Sequence, residues 1–364
     1  MTKKPLNYSD YLKLEDILNS QELKSAERGV PAHDEMLFII IHQVYELWFK
    51  QILWEVNSIL DLFSKEKLDE KWMDLILHRL NRVTEIQKLM VDQVGIMETM
   101  TPLDFLDFRN LLIPASGFQS HQFRLLEIKL GLQRQDRHRF SEKDFDEQLK
   151  DDEKSKVRSS EKDLSLFELV EKWLERTPFL TMKGFDFWSS FKSSVEENLQ
   201  KDIQLINENP ELNDTQRAKN TAMLTESLKG FQSLFDEAKY KQDQKEGTWR
   251  LSYRALHAAL LIQLYRDQPV LQLPFRLLMA LQDMDELFTT WRYRHAIMAK
   301  RMLGSRVGTG GSSGFKYLHE AAEKHKVFKD FVQLTTYFIP KSQIPKLPAD
   351  VEKELDFYYN RAQS

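Results

Sequence analysis

The chain has 364 residues, of which 41% are hydrophobic and 30% charged, and a net charge of -4; this is the balance of a soluble globular protein with material for a large core. So small a net charge gives no general footprint for nucleic acid, and no apolar run approaches the ~18 residues that a membrane helix needs. The sequence contains no cysteine, which excludes disulfides, thiolate nucleophiles, iron-sulfur clusters and thiolate-ligated zinc or haem and leaves histidine and carboxylates for any metal chemistry.

Glycine and proline are sparse, at 12 and 11. Helical periodicity with almost no period-two alternation predicts an all-α helical bundle. The opening MTKKPLNYSDYLKLEDIL lacks the apolar core of a signal peptide, which points to an intracellular, cytoplasmic protein. The first strong helix is predicted at 34–64. On it Phe38, His42, Tyr45 and Phe49 share one face, so the imidazole looks into whatever the aromatic rings look into. That is either a core, where a neutral histidine needs two hydrogen-bond partners, or a pocket.

A second helix is predicted at 68–98, and TPLDFLDFRNLLIPASGFQSHQFR follows at 101–124. Thr101, Pro102 and Asp104 supply a cap residue, a proline at the first helical position and an acid three residues on, the start of a short helix. On that helix Phe105 and Arg109 stand at i and i+4. A guanidinium fork suits a carboxylate ligand; a salt bridge to Asp104 or Asp107 is the bland alternative. Ser116 followed by Gln119 fits a capping box for a helix at 117–131. The segment 133–163 is dense in charge of both signs and reads as an exposed surface insertion that buries little. Further helices are predicted at 162–175, 212–238, 250–266 and 274–303. No internal repeat appears, and helices flank the insertion on both sides, so one interrupted domain over 1–364 is preferred to two.

On the last of these helices Trp291, His295, Met298 and Met302 share a face flanked by Arg292, Lys300 and Arg301. One imidazole on an apolar wall with cations beside it is how many b-type haems are held, with a core histidine as the commoner reading and Met298 as a weaker ligand candidate. Covalent haem attachment is excluded because there is no C-x-x-C-H. In GSRVGTGGSSGF, Gly304 ends the helix and glycines 308, 310, 311 and 314 follow. The phosphate-loop lysine is missing and no strand precedes the glycines. A lid over a ligand, with Thr309 offering a hydroxyl and an uncrowded N–H, competes with a plain linker. The tail after Pro340 should wrap over the surface.

Together HDEMLFIIIHQVYELWFKQ, ETMTPLDFLDFRNLLIPASGFQSHQFR, WLERTP and WRYRHAIMAKRMLGSRVGTGGSSG resemble the tryptophan 2,3-dioxygenase family, from about residue 7 to about 347. The charged insertion resembles the longer, animal form of that family. The resemblance implies a single haem dioxygenase domain with one haem b per subunit, ferrous when active. It would insert O2 across the indole C2–C3 bond of L-tryptophan to give N-formylkynurenine, the first step of the kynurenine pathway. His295 would be the proximal iron ligand and Ser116 a distal-side residue near the haem. His42 would accept a hydrogen bond from the indole N–H. Phe38 and Phe105 would flank the ring, and Arg109 and Thr309 would meet the carboxylate and ammonium groups. Tyr8 and Tyr11, in the N-terminal segment 1–33, would reach a neighbouring subunit's site in a homotetramer, a dimer of dimers. His121 stands where the family more usually has leucine. Alternatives are a haem sensor without turnover, a structural scaffold, and an enzyme of the same fold acting on a substituted tryptophan or another indole.

Overall fold

The computed structural model describes residues 5–136, 146–182, 185–306 and 315–355. Helices dominate. In chain order they are α1 (Tyr8–Leu12), α2 (Leu14–Leu18), α3 (Lys24–Glu27), α4 (Glu35–Phe63), α5 (Glu70–Met97), α6 (Pro102–Arg109), α7 (His121–Leu130), α8 (Asp151–Ser160) and α9 (Leu166–Glu175). There follow α10 (Phe187–Glu208), α11 (Asp214–Phe235), α12 (Glu237–Lys245), α13 (Tyr253–Leu264), α14 (Pro269–Leu303), α15 (Phe315–Lys324), α16 (Lys329–Gln333) and α17 (Ala349–Leu355). The strands among the described residues, β1 (Thr181–Met182) and β2 (Phe185–Asp186), form one antiparallel pair. The protein is all-α, as the periodicity requires.

The differences from the sequence reading have local causes. Helix α10 was not expected because serine and charge dominate it, yet Phe187, Phe191 and Val195 at i, i+4 and i+8 give it a buried stripe. Helix α14 begins at Pro269 and runs through Pro274; so early in a helix, a proline's missing N–H costs little more than the bond to the Val270 carbonyl. The charged insertion is exposed only in part: α8 packs on α7, burying Leu149 and Val157 against Ile128. Its anchor is Asp146, fully buried and bridged by Arg158 Nε at 2.7 Å and Arg134 Nη2 at 3.4 Å. His121 also ties the insertion, its Nδ1 lying 3.2 Å from Glu153 Oε1.

The chain forms two compact units, each assembled from three stretches. Unit 1 takes Met1–Asn57, Arg82–Asp163 and Glu286–Lys326, and unit 2 takes Ser58–Asn81, Leu164–Asp285 and Val327–Ser364. In unit 2, α9 packs on α13, whose residues from Ala255 to Gln263 are all buried. Two buried carboxylates hold backbone there: Asp285 accepts from Val327 N and Phe328 N, and Asp330 accepts from Arg250 N and Leu251 N. The tail lies on this unit, with Tyr265 Oη donating to the Pro345 carbonyl at 2.7 Å and Val351 and Leu355 buried.

In unit 1 an apolar cluster joins four elements. Ile41, Met97, Met100, Phe105, Phe108 and Met302 are its buried members, and Phe38, Tyr45 and Met298 pack against it. Residues from α4, α5, α6 and α14 thus share one core.

Candidate haem and substrate site

Helix α4 sets the first wall. His42 Nδ1 lies 2.7 Å from the Phe38 carbonyl, one turn back. A carbonyl can only accept, so Nδ1 carries the proton and Nε2 is left as an acceptor. The ring is open to solvent, yet burial in the surrounding protein pulls its pKa below that of an ordinary histidine. The imidazole is therefore neutral at neutral pH. Phe38 extends the wall, its ring 4.2 Å from His42 and stacked at 5.7 Å on Phe105. Gln122, in the first turn of α7, donates to both the backbone carbonyl (3.0 Å) and the carboxylate (2.8 Å) of Glu46, one turn beyond His42.

Helix α6 is set by its cap. Thr101 Oγ1 accepts from Asp104 N, and the Asp104 carboxylate accepts from Thr101 N at 2.9 Å, with Pro102 at the first position. Those hydrogen bonds hold the exposed Asp104 carboxyl below the usual carboxylate range. The helix buries Phe105 and Phe108 and carries Arg109, half-buried, at its last turn one turn beyond Phe105, with Nη1 donating to Asn110 Oδ1 at 3.3 Å. Ser116 caps a 3-10 turn at Gly117–Gln119 through a full capping box with Gln119. The α-helix proper starts later than 117 because Ser120 supplies a second cap, accepting from Phe123 N.

Helix α14 provides the opposite chemistry. His295 is half-buried, and burial, chiefly, lowers its pKa to about 4. Neither His295 nitrogen has a hydrogen-bond partner among the described residues. Behind it Trp291 stacks at 5.7 Å, itself packed edge-on to Tyr45 and Phe49 and tilted against Phe123. Arg294 pairs with Glu98 at 3.2 Å, and Lys300 and Arg301 are exposed on the flanks.

These residues fit a haem. A neutral, solvent-accessible imidazole without a partner can give its lone pair to iron, methionine and aromatic side chains make the wall, and cations flank it. Thr309 lies outside the described residues. Tyr8 and Tyr11 are not brought to these residues; they stand 72% and 69% exposed on α1. Sequence reasoning missed the two contacts that brace the site from behind, Gln122 with Glu46 and Arg292 with Glu127, because neither has a local signal.

An all-α fold that sets a partnerless imidazole on α14 beside aromatic and methionine side chains defines the class, a protein able to hold haem. The sequence profile of the tryptophan 2,3-dioxygenase family matches residues 1–338. The tryptophan 2,3-dioxygenase of Bdellovibrio bacteriovorus is 54% identical over 98% of this chain and 99% of its own length. That of Dictyostelium discoideum is 45% identical over 98% and 90%, and tryptophan 2,3-dioxygenase B of Danio rerio is 45% identical over 95% and 85%. The chain belongs to the tryptophan 2,3-dioxygenase family.

Proposed function

We propose that the chain, acting as one dioxygenase domain, is a haem-dependent oxidoreductase that inserts O2 across the indole C2–C3 bond of L-tryptophan to give N-formylkynurenine, opening the kynurenine pathway. The observations that carry this reading are His295, without a hydrogen-bond partner among the described residues and stacked on Trp291, and His42, its Nε2 left as an acceptor beside the Phe38–Phe105 stack. His295 would hold haem b through its free nitrogen, and Ser116 would lie near the haem. Bound haem, its iron ferrous, supplies the dioxygen chemistry.

The chain's own residues do the rest. Phe38 and Phe105 take the indole between them, and His42 Nε2 accepts the indole N–H. The lowered pKa of His42 keeps that acceptor unprotonated at neutral pH. It positions the substrate; addition of dioxygen to an indole does not require prior removal of the ring proton. Arg109 binds the substrate carboxylate with its two-pronged fork. Thr309 meets the carboxylate and the ammonium group, and its glycine-rich segment closes over them.

The active form is a homotetramer, a dimer of dimers. Support comes from apolar groups left in water: Met36, Ile40, Leu47 and Trp54 form one exposed stripe on α4, with Trp54 74% exposed. Tyr8 and Tyr11 complete a neighbouring subunit's site. No described helix is long and apolar enough to cross a membrane, and the cytoplasm is the compartment we propose. The test is anaerobic reduction of the haem-loaded protein, then L-tryptophan, then oxygen. N-formylkynurenine absorbance is expected; a reduced, haem-loaded protein that leaves tryptophan unchanged would refute the assignment.

A further inference from the structure

The His295 turn of α14 is held from the side by a buried charge cluster. Glu127 on α7 is 3% exposed, Arg292 8%, Arg124 6% and His325 2%. Arg292 lies three residues before His295, about 60° from it around the helix. Its Nη2 donates to Glu127 Oε1 at 3.0 Å, and its Nη1 donates to the backbone carbonyl of His325 at 3.0 Å. Glu127 Oε1 also faces His325 Nδ1 at 3.3 Å, while Oε2 accepts from Arg124 Nη1 at 3.0 Å. The guanidinium of Arg292 lies 5.6 Å from the Phe123 ring centre and 5.8 Å from that of Phe288.

Each contact is directional. A planar fork bonded through two nitrogens to two different groups, with rings beside it, resists rotation in a way a point charge does not. The three anchored segments are also the ones that frame the site. Helix α7 follows Ser116, α14 carries His295, and His325 comes directly after α15, which resumes the chain beyond the glycine-rich stretch. If α14 turned about its axis by about 20°, the His295 ring would move by about 2 Å, given a helix radius near 2.3 Å plus the side chain.

We infer that Glu127 is a positioning residue for His295: by gripping the Arg292 fork it fixes the rotation of the α14 turn that presents the imidazole to iron. The inference rests on His295 being the iron ligand. Shape alone is not enough, because a glutamine at 127 would keep the size and offer one acceptor, but its amide N–H2 would have to face a guanidinium.

The test uses the full-length holoprotein with E127Q and, as the variant that keeps the buried positive charge and loses only the fork, R292K. Fold is checked by circular dichroism. Haem transfer to excess apomyoglobin and the iron–histidine stretch of the ferrous protein by resonance Raman are the readouts. Folded variants are expected to lose haem at least about tenfold faster than wild type and to show a shifted or broadened stretch, with E127D restoring part of the difference. Wild-type transfer rates and an unshifted stretch in both folded variants would overturn the inference. So would failure of both to fold, since the cluster would then serve folding and not the ligand. A wild type that takes up no haem, or a folded H295A with normal haem retention, would remove the underlying ligand assignment instead.

Discussion

At the scale of single residues, two chemical states matter most. His42 is a neutral acceptor because a carbonyl fixes its tautomer and burial resists its protonation. Arg109 sits at the end of the short helix that also carries Phe105, and in the proposed reading it receives the substrate carboxylate. Arg109→Ala is expected to weaken tryptophan binding by roughly 2–5 kcal/mol, the cost of removing one partner from a desolvated pair. Steady-state kinetics checks it: the KM for tryptophan should rise steeply, and an unchanged KM would contradict the role.

A third histidine carries a pH prediction for unit 2. His257 stacks on Trp188 at 3.4 Å and meets Tyr253 edge-on at 4.1 Å, and its Nε2 is buried without a partner. Burial lowers its pKa to about 3, against about 6.5 in an unfolded chain. Between these values the unfolded chain binds a proton that the folded one does not. Stability is therefore lost as pH falls from about 6.5 towards 3, by about 2 kcal/mol at pH 5. His257→Phe removes this loss. Urea unfolding at pH 7.5 and pH 5 should show a gap between the two conditions that is smaller in the variant by about that amount. An equal gap would mean that the histidine is protonated in the folded state.

At the scale of elements, the helices that build the site begin where their caps place them. Thr101 and Asp104 close a reciprocal box at the start of α6, and α6 carries both Phe105 and Arg109. Thr101→Ala is expected to cost about 1 kcal/mol, a thermal shift of about 2 °C for a protein of this size, and to raise the KM for tryptophan modestly. Thr101→Ser, which keeps the hydroxyl, should match wild type in both melting temperature and KM; a serine variant as impaired as alanine would assign the effect to the lost methyl. The insertion teaches a related lesson at this scale. Its charges are partly its means of attachment, since Arg134 and Arg158 meet Asp146 and Arg134 also bridges Glu161 at 2.9 Å. A buried carboxylate held by two guanidinium groups is stable only while both remain.

At the scale of the whole molecule, the apolar stripe on α4 asks for a partner. Leu47 and Trp54 are 52% and 74% exposed and two turns apart on the same face. The double substitution Leu47→Lys, Trp54→Lys should shift the proposed tetramer to smaller species in size-exclusion chromatography with light scattering. Activity should fall with it if, as proposed, Tyr8 and Tyr11 complete a neighbouring subunit's site. A tetramer that survives both lysines would place the interface elsewhere.

Local chemistry was legible without coordinates. The all-α class, the α4 face with Phe38 and His42, the boxes at Thr101 and Ser116 and the α14 face with His295 all follow from patterns within two or three turns, where spacing alone decides which side chains are neighbours. Tertiary structure decided what spacing cannot reach. Glu127 finds Arg292 across 165 residues, Gln122 finds Glu46 across 76, and His121, an odd residue in its motif, finds Glu153 on a helix that charge density had disguised as an exposed loop. These pairings depend on which helices pack together, and packing is set by the summed burial of whole faces, which no short stretch of sequence contains.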